Sequence, residues 1–419
     1  MPTRKRRTIT IALLSCAGVI AAVAAALAAR GGGQSLPQPP HIAKPTPQRN
    51  IPPVVQHNTP TPPPKPTPPV VKKVDPPKPK QVEPPKVDVV FALDTTGSMA
   101  GLISGAKRKI WSMANKILSG QPRPHVRIGL IGYRDIGDAY VTRRYQLTED
   151  IDDVQRHLRG FRAAGGGDTP EHVNRALADA IYKMKWRQGQ NVLRMIFLVG
   201  DAPPHEGRQG LYSRTLASAA KTRGIVINAV RCGSMTSTAV AWRRIARIAG
   251  GMYASIRQDG GMYAVRTPLD KRLAKLNAEL TKTLVVAGSS SARHAAAARA
   301  KANASLDTWG GAESATYRAR SGRVDSKDLL TQMARGRKLS SFKKTELPPA
   351  LQAMKPSARA HYVEKVRAKR QRIQSEILRL AKKRDAYIRR SRRAKPKRAF
   401  DDKLIDAFRA AGGKAGIKY

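Results

Sequence analysis

Between residues 87 and 256, short apolar runs alternate with amphipathic stretches. Residues 87–93, 126–133, 192–199 and 225–230 are nearly unbroken apolar runs, the mark of strands covered on both faces rather than one. Residues 103–118, 151–161, 171–185, 208–222 and 237–248 carry helical spacing. Residues 139–145 read as a hairpin partner of the second strand, and 252–256 as a last short strand. Strands alternating with helices predict an α/β fold with a mostly parallel, Rossmann-like central sheet covered by helices. Ligands of such sheets bind beyond the carboxyl ends of the strands.

The pattern differs on either side of this segment. Residues 8–29 are 22 uncharged, largely apolar residues behind Arg4-Lys5-Arg6-Arg7. As a helix they would span about 33 Å, enough for a bilayer core, and the basic flank predicts export of the chain beyond residue 29. A single-pass anchor in the cell membrane is the expectation, with signal cleavage near Ala26-Leu27-Ala28 and secretion as the alternative. Residues 31–86 are a Pro-rich spacer that can form neither helix nor sheet. After 260, Leu269, Leu273, Leu276 and Leu280 form one helical stripe behind Thr267-Pro268, residues 283–286 suggest a short strand, and the Ala-rich 292–305 suggests a helix. Residues 357–393 predict a long helix. Val366, Ile373, Leu380 and Tyr387 recur every seven residues, while Arg370 and Arg384 interrupt the second row begun by Val363 and Ile377. A half-filled seam favours packing on the protein's own domains over a coiled-coil dimer. Phe400, Leu404, Ile405 and Phe408 suggest a final docked helix. The organisation is thus 1–30 anchor, 31–86 linker, 87–260 α/β domain, and 261–419 a basic, mainly helical region.

Composition changes this picture in two places. Two cysteines, Cys16 and Cys232, exclude a disulfide framework. The 419 residues carry a net charge of +49, and residues 261–419 hold 39 basic against 13 acidic side chains. Such a tail attracts polyanions. Behind an export segment these are anionic envelope polymers or lipids. Nucleic acid is disfavoured, because no nucleic-acid motif is present and aromatic residues are only 5%.

Three loops at the expected carboxyl ends carry oxygen-bearing side chains: Asp94-Thr95-Thr96-Gly97-Ser98, then Gly165-Gly166-Gly167-Asp168-Thr169-Pro170-Glu171, then Asp201. Hydroxyls and carboxylates without Cys or His suit a hard cation, Mg²⁺ with Mn²⁺ or Ca²⁺ as alternatives, rather than zinc. Each loop taken singly also reads as a helix cap. Asp135 and Asp138 read as turn residues of the hairpin, with rim contacts of the site as the alternative, and His205 and Glu206 as rim or solvated loop. No Gly-x4-Gly-Lys-Ser/Thr loop, Gly-x-Ser-x-Gly elbow or His-Glu-x-x-His is present, and no general base stands out, so a non-enzymatic protein is expected.

Together these motifs resemble the metal-ion-dependent adhesion site (MIDAS) of von Willebrand factor A (vWA) domains. The resemblance implies Thr96 and Ser98 as direct ligands, Asp94 and Asp201 near the ion, and Asp168 or Thr169 in the place of the family's second-loop Thr. It also implies that a carboxylate of a protein partner completes the coordination. The arrangement of anchor, spacer, A domain and basic tail resembles exported bacterial proteins of this kind.

Overall fold

The computed structural model describes residues 84–419 apart from 168, 262–263 and 393–399. The apolar run 8–29 and the Pro-rich spacer lie outside the described residues, and among those described no helix is long and apolar enough to cross a membrane.

The chain order is β1 (Lys86–Asp94), α1 (Ala100–Ile117), β2 (His125–Tyr133), β3 (Thr142–Thr148), α2 (Ile151–Gly160), α3 (Val173–Tyr182), β4 (Val192–Gly200), α4 (Ser213–Thr222), β5 (Ile225–Cys232), α5 (Thr236–Ile248) and β6 (Tyr253–Ile256). These are followed by α6 (Asp270–Thr281), α7 (Ser290–Ala304), α8 (Thr308–Ser321), α9 (Leu329–Ala334), α10 (Pro349–Gln352), α11 (Pro356–Arg392) and α12 (Phe400–Gly412). The six strands lie in the order β3-β2-β1-β4-β5-β6, parallel except for the β2–β3 pair. The expected mixed, mostly parallel sheet flanked by helices is what forms.

The unbroken apolar strands serve two cores at once. Val89, Phe91 and Leu93 of β1 and Met195, Phe197 and Val199 of β4 face the core built with α1 and α2. Val90, Ala92, Ile196 and Leu198 face the other, built with α3, α4 and α5. Period-two alternation decides the side, and hydrophobicity on both phases keeps both faces dry.

The last helix completes the first core. Phe400, Leu404, Ala407, Phe408 and Ala411 of α12 are buried in it. The Phe400 ring lies 6.2 Å from Phe91 and 6.4 Å from Phe197, and Phe408 lies 5.9 Å from Phe197. Each such ring contributes about 1.5–3 kcal/mol by leaving water. The terminus is pinned by Gln121 and Lys418, which exchange backbone hydrogen bonds of 2.8 Å in both directions.

The remaining tail is a helical layer. Leu273, Leu276 and Leu280 of α6 pack with Ala312, Ala315 and Ala319 of α8 and with Ile373, Ile377 and Leu380 of α11. The long helix therefore packs on its own chain. Of the short strand expected at 283–286, only a single bridge between Val286 and Asp328 forms. The two arginines that interrupted the seam are buried. Arg384 donates from Nε to Asp270 Oδ1 (2.6 Å) and from Nη1 to Glu313 Oε1 (2.8 Å). Arg370 donates to Thr283 Oγ1 (3.0 Å) and pairs with Asp328 (2.5 Å).

Candidate metal centre

The chain leaves β1 for α1 and β2 on one side, and β4 for β5 and β6 on the other. The β1/β4 boundary is therefore the topological switch point, where a crevice opens beyond the strand ends. Asp94 ends β1 and Asp201 follows β4 directly, so both carboxylates are delivered to this crevice by the two central strands.

Around Asp94 the first loop folds back on itself. Asp94 Oδ1 accepts from the Thr96 amide (2.9 Å) and the Thr96 hydroxyl (2.6 Å). Thr96 Oγ1 lies 3.3 Å from Ser98 Oγ. Asp94 Oδ2 is buried and has no hydrogen-bond partner. A buried carboxylate oxygen left bare costs free energy unless a cation or donor meets it. The hydroxyl oxygens of Thr96 and Ser98 keep lone pairs for such a cation.

The second loop is sewn onto the first. Gly97 donates its amide to Gly165 O (3.0 Å), Ala164 to Thr95 O (3.2 Å), and Gly166 to Asp138 Oδ2 (3.3 Å). Gly165 and Gly166 both adopt left-handed backbone (φ 75° and 72°), and a Cβ on Gly166 would fall 2.7 Å from Thr96 Cβ. Only glycine lets this loop lie so close over the first. The third loop is tied to the second: the Glu171 amide donates to Pro203 O (3.0 Å) and the His205 amide to Glu171 O (3.2 Å).

Electrostatically the crevice is an acidic island in a basic protein. Burial pushes the Asp94 carboxyl up to about 7, against hydrogen bonds from Thr96 that lower it, with the nearby Asp201 raising it further. Burial, then Asp94, Asp135, Asp138 and Asp201, push Glu171 up to about 8. Carboxylates gathered so closely bind protons or a cation.

Of the expected ligands, Asp94, Thr96, Ser98 and Asp201 come together here. Thr169 is exposed on the second loop, and Asp168 lies outside the described residues. Among the described residues no three His, Cys, Asp or Glu side chains gather as a metal site, so this centre would rest on two carboxylates and two hydroxyls beside the second loop. That donor set fits a hard cation.

Sequence reasoning missed Gln258. Its Nε2 donates to Asp201 Oδ2 (2.5 Å) and to Ser98 O (3.2 Å), bridging the first and third loops. Its place two residues beyond β6, at the carboxyl edge, was the available signal. Glu171, read only as a helix-start acid, belongs to the acidic cluster. Asp135 and Asp138 are more than turn residues: Asp135 Oδ2 contacts His205 Nε2 (2.9 Å), and Asp138 receives the glycine loop. Glu206 is exposed and also accepts from the amide of Ser213 (2.9 Å), at the first turn of α4. Cys232 is buried, and burial pushes its thiol well above the usual range, with Asp201 and Asp94 adding to the shift.

A switch-point crevice with loops of this kind defines an α/β domain of cation-site type. The family model of the von Willebrand factor A domain matches residues 88–264, and the chain carries a vWA domain there. Over 119 residues the chain is 32% identical to a putative ariadne-like RING finger protein, R811, of Acanthamoeba polyphaga mimivirus. Over 121 residues it is 32% identical to the alpha-protein kinase vwkA of Dictyostelium discoideum. Each match takes 28% of this chain but only 11% and 19% of those proteins. Among solved structures, the conserved hypothetical protein BatB of Bacteroides thetaiotaomicron is similar at 19% identity and a TM-score of 0.32, over 41% of this chain and 90% of that one. The SpRpn10 VWA domain is similar at 16% identity and a TM-score of 0.33, over 42% of this chain and 89% of that one. Proximal thread matrix protein 1 of the mussel byssus, in a structure described with a zinc-occupied MIDAS motif, is similar at 14% identity and a TM-score of 0.32, over 42% of this chain and 43% of that one.

Proposed function

We propose that this vWA domain binds a divalent cation, Mg²⁺ or Mn²⁺, at Asp94, Thr96, Ser98 and Asp201, and through it the carboxylate of a protein partner. The observation that carries the reading is the bare, buried Oδ2 of Asp94 beside two hydroxyls and a second carboxylate. One position of the second loop, Asp168 or Thr169, completes the set. Thr169 as the ligand would leave the ion with more positive charge for an acidic partner than Asp168 would.

In this reading the domain is a binding module and not an enzyme. The cysteine nearest the site is buried as a thiol, and Glu206 is occupied at the first turn of α4. Residues 8–29 anchor the chain in the cell membrane with the bulk of it outside the cytoplasm, and the Pro-rich spacer tethers the domain to the bilayer. The function is then adhesion or assembly at the cell envelope.

The experiment is crosslinking capture from membranes with the full chain, in Mg²⁺ and in chelator. The full chain is needed because α12 fills the core under Phe91 and Phe197, and a fragment ending at 260 would expose that face. Partners captured in Mg²⁺ and lost both in chelator and in the D94A/D201A variant support the reading. Capture unchanged by either treatment contradicts it.

A further inference from the structure

The long helix α11 presents a face that nothing in the described fold covers. Lys365, Lys369, Arg372, Arg379, Lys383 and Arg390 are all exposed and recur at spacings of three, four or seven, so they share one stripe. From Lys365 to Arg390 the stripe runs about 38 Å at 1.5 Å per residue. Among the described residues none of the six has an acidic partner. The acid within the stripe, Glu376, is paired with Arg272 (2.8 Å). Tyr362 and Tyr387 border the stripe on its core side near its two ends, 37% and 45% exposed, and Leu378 is exposed farther round the helix. The adjoining face is fixed by buried Ile373, Ile377 and Leu380 and by the Arg370 and Arg384 ion pairs. The cations are therefore held in line rather than left on a loose tail.

We propose that this stripe docks on an anionic lipid surface. A straight row of unpaired Lys and Arg suits a plane of lipid phosphates. Half-exposed tyrosines near its ends suit the headgroup boundary, where an apolar ring and a polar hydroxyl are both accommodated. The inference rests on the anchoring reading only for proximity: residues 8–29 would keep the stripe within reach of a bilayer at the end of the spacer.

The test is lysine acylation of the full chain reconstituted in vesicles of pure phosphatidylcholine and in vesicles doped with phosphatidylglycerol. Retention of the chain on pure phosphatidylcholine reports the anchor. Acylation rates report the stripe separately, so the two readings fail independently. Lys365, Lys369 and Lys383 should react at least about fivefold more slowly on the anionic vesicles, an effect of the size one charge at such a surface carries. Molar salt should restore their rates, and Lys221, exposed on α4, should be unaffected. In the R372Q/R379Q variant the protection should vanish. Equal rates on both vesicles, protection of Lys221 to the same degree, or protection surviving R372Q/R379Q would overturn the proposal. Greater protection by duplex DNA, added to the chain in phosphatidylcholine, would assign the stripe to nucleic acid instead.

Discussion

At Gly200 the last residue of β4 passes so close to Asp94 that a Cβ there would lie 2.4 Å from the Tyr133 hydroxyl and 2.9 Å from Asp94 Cβ. The sequence shows only a glycine before an aspartate, and the reason for it lies on two neighbouring strands. Gly200→Ala is expected to destabilise the domain by about 1–3 kcal/mol through overpacking and to weaken cation binding by displacing Asp94. Adding Tyr133→Phe removes the nearer atom, so the double variant should regain part of the lost stability in urea unfolding. A neutral Gly200→Ala would show that the strands have room to spare. The acids of the site give a second prediction. Folded-state values raised to about 7 at Asp94 and about 8 at Glu171, above ordinary values of 3.8 and 4.5, favour the metal-free fold at low pH. That contribution is lost as pH rises through 7 to 8 and the buried carboxylates ionise. A cation offsets the cost only in the ionised state. Mg²⁺ should therefore raise Tm more near about pH 9 than near about pH 5, and an increment that shrinks with rising pH would contradict the assignment.

At the scale of elements, the strands were legible because a run apolar on both phases has few other homes in a domain of this kind. The long helix was legible from its heptad. What could not be read was its partner surface. Arg370 and Arg384 broke the pattern as a sequence, yet their carboxylates come from Asp328, Asp270 and Glu313, 42 to 114 positions away, and the positions are core. The helix α8 left no stripe to find, because it is buried almost all round and carries Gly310-Gly311, Glu313, Ser314, Thr316 and Arg318 inside. Gln258 escaped for the same reason as the arginines, since its partners Asp201 and Ser98 lie 57 and 160 positions away. The arginine knot gives an element-scale prediction. Arg384→Ala leaves Asp270 and Glu313 facing each other without a cation and should cost about 3–5 kcal/mol in chemical denaturation. Arg384→Met combined with Asp270→Asn and Glu313→Gln removes the charges together and should cost far less. Equal losses in the two variants would mean that packing, not charge, is what Arg384 supplies.

Among the described residues, charge separates into an acidic crevice at one end of the sheet and basic helical surface in the C-terminal region. The two are parts of one fold, because α12 brings the end of the basic region back into the core of the vWA domain, and the Phe400 amide donates to Gly260 O (3.1 Å), two residues from Gln258. The central claim is that the crevice is a cation site, and titration calorimetry of the full chain with Mg²⁺ and Mn²⁺ tests it most directly. One saturable site per chain, with protons released on binding near neutral pH and the signal abolished in Asp94→Ala, is the predicted result. The absence of a saturable signal in the wild-type chain, or a signal that survives Asp94→Ala undiminished, would contradict it and leave the three loops as helix caps.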